Sequence, residues 1–189
     1  FAFKAITTEM FVKYAKVALV EAYSDKISEA ELLEWIYGEG LPQGYVGPTS
    51  RSLDKVDSAL EDFLKGKAAS ELKVQGWRVH HWQYFLTQLP EVLSQVQLMD
   101  LDDTFKLTES SNAEIACDWF RVAIRNHYDP VLPALSAYLQ RIGRGKFVRP
   151  LYAELKIAGY HAELQQIYAS ARAGYHPSIQ VQLDRMFNS

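Results

Sequence analysis

The chain is almost without cysteine: Cys117 stands alone among 189 residues. That excludes an intrachain disulfide and any cysteine-rich zinc site. A strong charge of either sign is also missing, since the net charge of -3 gives no general pull toward nucleic acid. No apolar run approaches the ~20 residues needed to cross a bilayer, and Phe1-Ala2-Phe3-Lys4 lacks the basic-then-apolar order of a secretion signal. Neither nucleic acid nor membrane is therefore an expected partner. The motifs of hydrolysis are absent as well. There is no His-Glu-x-x-His, no Gly-x-Ser-x-Gly elbow and no phosphate-binding glycine loop. His80 and His81 are adjacent, which on a helix points them about 100 degrees apart rather than at one ion. His127, His161 and His176 fall at helix ends, where capping accounts for them. No residue qualifies as catalytic or metal-ligating.

What is present is helical periodicity. The composition, 48% hydrophobic and 23% charged, is that of an ordinary globular domain. Apolar residues recur at spacings of three and four, and no stretch alternates with the period of two that a half-buried strand needs. Thr7 or Thr8 caps a first helix over about 8–24, with Phe11, Tyr14, Ala15, Ala18 and Ala22 as its buried stripe. Ser28 and Glu31 form a capping box for a short helix that ends near Trp35, with Gly38 as its left-handed stop. Residues 38–48 hold four glycines and two prolines, a loop or linker by composition.

Thr49 or Ser50 is expected to restart a helix with Leu53, Val56, Leu60, Phe63 and Leu64 inward, closed by Lys65-Gly66-Lys67. Pro90 starts another, through about Leu98. Ser111-Asn112-Ala113-Glu114 reads as a second capping box, before a helix facing inward through Ile115, Trp119, Val122 and Ala123. Asp129-Pro130 opens the next, with Val131, Ala134, Leu135, Tyr138 and Ile142 inward. Helices from Pro150 to Ala158, past Gly159 with Leu164, Ile167, Tyr168 and Ala171 inward, and from His176-Pro177 complete the chain. Short connections between the late helices predict antiparallel hairpins stacked on one another. The fold class is all-α, with about nine or ten helices in a single domain over 1–189. The aromatic residues, at 13%, follow helical spacing and read as core. Cys117, inside one such helix, reads as packing material.

One segment carries a candidate site. Gly143-Arg144-Gly145-Lys146-Phe147-Val148-Arg149 sets three cations in six residues, in a region from 141 onward that holds seven cations against three anions. Guanidinium forks and an ammonium suit a carboxylate or a phosphate. Cations also gather at helix ends simply because the macrodipole's negative pole favours them, and the spacing alone leaves both readings open.

Ile6-Thr7-Thr8, Trp35-Ile36-Tyr37 followed by Gly40-Leu41-Pro42, the segment Gly143 to Leu151, and His176-Pro177 together resemble the C-terminal domain of leukotriene A4 hydrolase and its bacterial aminopeptidase relatives. The resemblance implies a right-handed superhelix of stacked antiparallel helix pairs, similar to armadillo or HEAT arrays, that closes one side of an active-site cleft. It implies that zinc and the peptidase chemistry belong to a preceding catalytic domain, which would be this chain's partner, and that the chain alone is inactive and holds no cofactor. It also implies that Arg144 and Lys146 bind the carboxylate of a short peptide substrate, with Arg149 as a supporting member of the basic motif. Gly145, where the family has a bulkier residue, implies a more mobile loop. The resemblance leaves the compartment open, with the cytoplasm favoured. The rival reading is a noncatalytic helical-repeat interaction module whose basic turn meets an acidic patch on a partner protein.

Overall fold

The computed structural model describes residues 3–42, 44–47 and 51–188, and its described residues are helices joined by turns, with no strand among them. The chain divides into two compact units, Phe1–Thr49 and Ser50–Ser189.

In the first unit, α1 spans Thr8–Ala15 and continues as a π-helical segment, Lys16–Glu21; α2 spans Glu29–Tyr37. Their starts follow from local chemistry. Thr7 Oγ1 accepts from the Met10 amide at 3.3 Å, and Ser28 and Glu31 complete their reciprocal box at 3.2 and 2.7 Å. Gly38 does not stop α2 in the left-handed region: its φ is -71°, and the positive φ falls at Gly40 instead. Gly38 is needed for another reason, since a Cβ there would stand 2.4 Å from the Glu34 carbonyl oxygen. The stripe expected to be buried on α1 is mostly exposed. Ala15 is buried and so is Val12, but Phe11 and Tyr14 face solvent.

The second unit carries the core. Its helices are α3 (Asp54–Leu64), α4 (Val79–Gln88), α5 (Gln95–Phe105), α6 (Ala113–Arg125), α7 (Leu132–Arg141), α8 (Gly145–Ile157), α9 (His161–Ala171) and α10 (Pro177–Asn188). Alternate helices are neighbours: α6 packs on α4 and on α8, α8 packs on α10, and α7 packs on α9. This is the pattern of stacked helix pairs, in which every second helix lies in the same layer. α6 is the most deeply enclosed, burying Ala116, Cys117, Trp119, Phe120, Val122, Ala123 and Ile124. Each large side chain fully removed from water there stabilises the fold by about 1.5–3 kcal/mol before entropy is counted.

Several boundaries differ from the sequence reading. Thr49 and Ser50 lie outside the described residues, and α3 begins at Asp54 with Leu64 exposed rather than inward. Pro90 does not begin α5. Ser94 does, through a capping box with Gln97 in which the Gln97 amide donates to Ser94 Oγ at 3.2 Å and the Ser94 amide to Gln97 Oε1 at 3.0 Å. At α6 the cap is Asn112, whose Oδ1 accepts from the amides of Glu114 and Ile115 at 3.0 and 3.3 Å. The last difference matters most for function: α8 begins at Gly145, five residues before Pro150, so Pro150 lies inside the helix.

Candidate functional site

Because α8 starts at Gly145, the basic segment is not a turn that leads up to a helix. Arg144 is the N-cap residue, Lys146 is in the first turn, and Arg149 follows one turn later. Arg141 sits in the last turn of α7, where the macrodipole favours a cation. The other three stand at the positive pole of α8, where the macrodipole opposes them. Helix-end preference therefore cannot account for Arg144 and Lys146.

The neighbouring packing holds this helix start in place. A Cβ on Gly143 would meet the Gly174 carbonyl oxygen at 3.6 Å, and one on Gly145 would lie 2.5 Å from Ile179 Cδ1. A side chain at 145 would therefore require the Ile179 side chain of α10 to move aside. Below, Tyr175 donates to the Leu139 carbonyl at 2.8 Å and lies 3.2 Å, oxygen to oxygen, from the buried Tyr152 hydroxyl, which ties the end of α7 to α8. Glu154 of α8 accepts from Arg121 and Arg125 of α6 at 3.1 and 2.8 Å. Burial works against ionising Glu154, but the hydrogen bonds and charges of the two arginines outweigh it and hold the carboxyl below the usual glutamate range.

The three cations have different surroundings. Arg149 spends its guanidinium within the domain, donating to the Gly145 carbonyl at 3.2 Å and to Gln182 of α10 at 3.1 Å. Lys146 lies 2.5 Å from Glu114 Oε1 at the start of α6. Arg144 is exposed, its side chain caps no amide, and its guanidinium has no hydrogen bond or ion pair among the described residues. Its guanidinium and the Lys146 ammonium lie against the same ring, 5.9 and 5.2 Å from the centroid of Phe147, which is itself buried. A helix N-terminus without a side-chain cap, beside an unpaired guanidinium, offers an anion both oriented amides and a bidentate fork.

The remaining candidates do not form a site. Among the described residues no group of three or more His, Cys, Asp or Glu could hold a metal ion. Cys117 is buried against the Phe147 carbonyl, Sγ to oxygen 3.9 Å, and burial, reinforced by Asp118, pushes its thiol up to about 12. It is inert packing at neutral pH. Glu114, which pairs with Lys146, and Gln83 and Asp118, which are bonded to one another beside it, are not legible as site residues, because they lie 28 to 63 positions upstream of Lys146 in the sequence and meet only through the stacking of α4, α6 and α8.

Layered helix pairs with an exposed cationic helix start define the described part of the second unit as an all-helical stack. The family model described as leukotriene A4 hydrolase, C-terminal, matches residues 77–187, and the chain belongs to that family. It is 26% identical over 176 residues to a leukotriene A-4 hydrolase of Xenopus laevis, covering 82% of this chain and 26% of that protein. It is 28% identical over 192 residues to a leucine aminopeptidase 2 of Ajellomyces capsulatus, covering 88% of this chain and 30% of that one. The native yeast leukotriene A4 hydrolase structure superposes with a TM-score of 0.74 at 18% identity, over 97% of this chain and 33% of the other. The fold is shared, and the chain spans less than a third of the length of these curated relatives.

Proposed function

We propose that this chain is the helical C-terminal part of a zinc aminopeptidase, closing one side of the cleft, and that Arg144 holds the terminal carboxylate of a short peptide while Lys146 reinforces the positive potential. One observation carries the reading: Arg144 is an unpaired guanidinium at the uncapped positive end of α8, an arrangement costly to the helix unless an anion is to be received. An exopeptidase gains affinity and register by gripping the far end of its substrate, because fixing the scissile bond relative to the reacting groups supplies much of the rate. Arg144 acts as a ruler and takes no part in bond breaking. The hydrolytic chemistry, including zinc, is assigned to a preceding domain, and the fragment alone is inactive.

The first unit supports a partner of this kind. Among its described residues it buries only Val12, Ala15 and Leu32, while Met10, Phe11, Val17, Leu19, Trp35 and Tyr37 are exposed. An apolar surface of that extent on so small a unit calls for a covering body. The relatives, more than three times as long as the stretch they share with this chain, point to the catalytic domain as that body.

The test is steady-state kinetics of the intact polypeptide on trialanine and on trialanine amide. Arg144→Ala is expected to lower kcat/KM for the free acid by about 10- to 100-fold, the value of a charge-assisted bidentate contact. The amide should be nearly unaffected. Equal losses on both substrates would remove the carboxylate role.

A further inference from the structure

Lys146 and Arg144 flank one ring, yet only Lys146 has a counter-charge. Glu114 Oε1 lies 2.5 Å from the Lys146 ammonium, and Glu114 Oε2 takes a hydrogen bond from Gln83 of α4 at 3.4 Å. The same Gln83 amide donates to Asp118 Oδ2 at 3.2 Å. Gln83, Glu114 and Lys146 thus link α4, α6 and α8 at one level. The charges sit on complementary helix starts. Glu114, in the first turn of α6, is where the macrodipole favours an anion; Lys146, in the first turn of α8, is where it disfavours a cation. Pairing them relieves Lys146 of its poor position and draws it toward α6. Asp118, one turn further along α6, adds a second carboxyl; burial raises it above the usual aspartate range, and the Gln83 bond and Arg121 only partly offset this.

We infer that Glu114 is a positioning residue that draws Lys146 toward α6 and offsets part of its charge, leaving Lys146 to reinforce the positive potential and Arg144 as the single direct carboxylate ligand, and setting how strongly the site prefers a free acid. The inference rests on the carboxylate reading above and sharpens it. A peptide carboxylate bonded to Lys146 would be brought close to the Glu114 carboxylate, and like charges so near repel even with partial screening. Arg144 carries no such penalty. Removing the charge of Glu114 while keeping its shape therefore frees Lys146 to become a second ligand.

The measurement is the ratio of KM for trialanine amide to KM for trialanine in the intact polypeptide. Glu114→Gln is expected to raise this ratio about 3- to 10-fold, the size of one partly screened charge, through a lower KM for the free acid. The change should vanish in the Glu114→Gln/Lys146→Gln double variant, while Lys146→Gln alone changes the ratio by less than about twofold. Glu114→Asp, which keeps the charge on a shorter arm, is expected to fall between the parent and Glu114→Gln and serves as the second variant if the glutamine protein does not fold. A merely structural link between helices would lower kcat for both substrates alike and leave the ratio unmoved, which overturns the inference. A ratio that falls, or a gain that survives without Lys146, overturns it too. If instead Arg144→Ala lowers kcat/KM equally for the free acid and the amide, the carboxylate reading itself fails, whatever the Glu114 variants do.

Discussion

The two units are written in the same helical grammar and differ in what their faces meet. α2 in the first and α5 in the second both begin with a serine capping box, Ser28 with Glu31 and Ser94 with Gln97, at nearly identical distances. Yet α5 lies over a core that runs continuously from Val56 to Leu183, whereas α2 buries Leu32 alone. Capping decides where a helix starts; a partner surface decides whether its apolar face is worth anything. Burial, more than helix quality, separates a unit that stabilises itself from one that needs a covering body.

The sharpest way to break that comparison is to truncate one large side chain in each unit. Trp119 is 0% exposed, donates its indole N–H to Thr108 at 2.9 Å and packs edge-on against Tyr128. Trp119→Ala is expected to cost about 3–5 kcal/mol, seen as a large drop in the urea midpoint of the 189-residue chain. Phe11, at 39% exposed, should give less than about 1 kcal/mol when changed to alanine. Comparable losses at the two sites would mean that the first unit has a buried face of its own, and that its apolar surface is no docking face.

How much of this was readable in advance depends on whether the signal is local. The inward face of α9, Leu164, Ile167, Tyr168 and Ala171, matches the buried set in full, because a long amphipathic stripe over a real core obeys simple periodicity. The stripe on α1 misleads for the complementary reason: periodicity finds a face but not what covers it. Pro150 drew the start of α8 too late, since proline favours first turns, and here the helix accepts it one turn further in. That shift of five residues turns the cations from a favourable helix end to an unfavourable helix start, and it is the structural fact that most changes the site. Ser94-x-x-Gln97 was an available signal for α5, outweighed by Pro90. The Glu114–Lys146 pair was not available at all, because 32 residues separate its members and only the stacking of α6 on α8 brings them together.

The paired capping boxes give a finer contrast. Ser94→Ala in the second unit and Ser28→Ala in the first each remove one amide partner, worth about 1 kcal/mol to the helix. In the second unit that loss should appear in full as a lower global unfolding midpoint, because α5 unfolds with the core. In the first unit it should appear as faster amide exchange across α2, with the midpoint of the main transition unchanged. An equal shift of the main midpoint by both variants would show that the two units unfold as one.

The smallest effect expected is electrostatic and confined to the second unit. Asp184 of α10 accepts from Arg172 at 2.8 Å and from the Tyr168 hydroxyl at 2.6 Å, and these bonds hold its carboxyl down to about 2. A carboxyl depressed in the folded chain stabilises it wherever the unfolded chain is also ionised, above roughly pH 4. The contribution is lost as pH falls from there through about 2. Being a surface pair, it should be modest and should weaken with salt. Asp184→Asn is therefore expected to lower the urea midpoint at pH 6, with the gap to the parent closing as both are titrated toward pH 2. The first unit does not contain Asp184 and should keep its α2 exchange rates equal in parent and variant throughout. A gap that stays constant across the titration would assign the loss to packing of the Asp184 side chain and not to its charge.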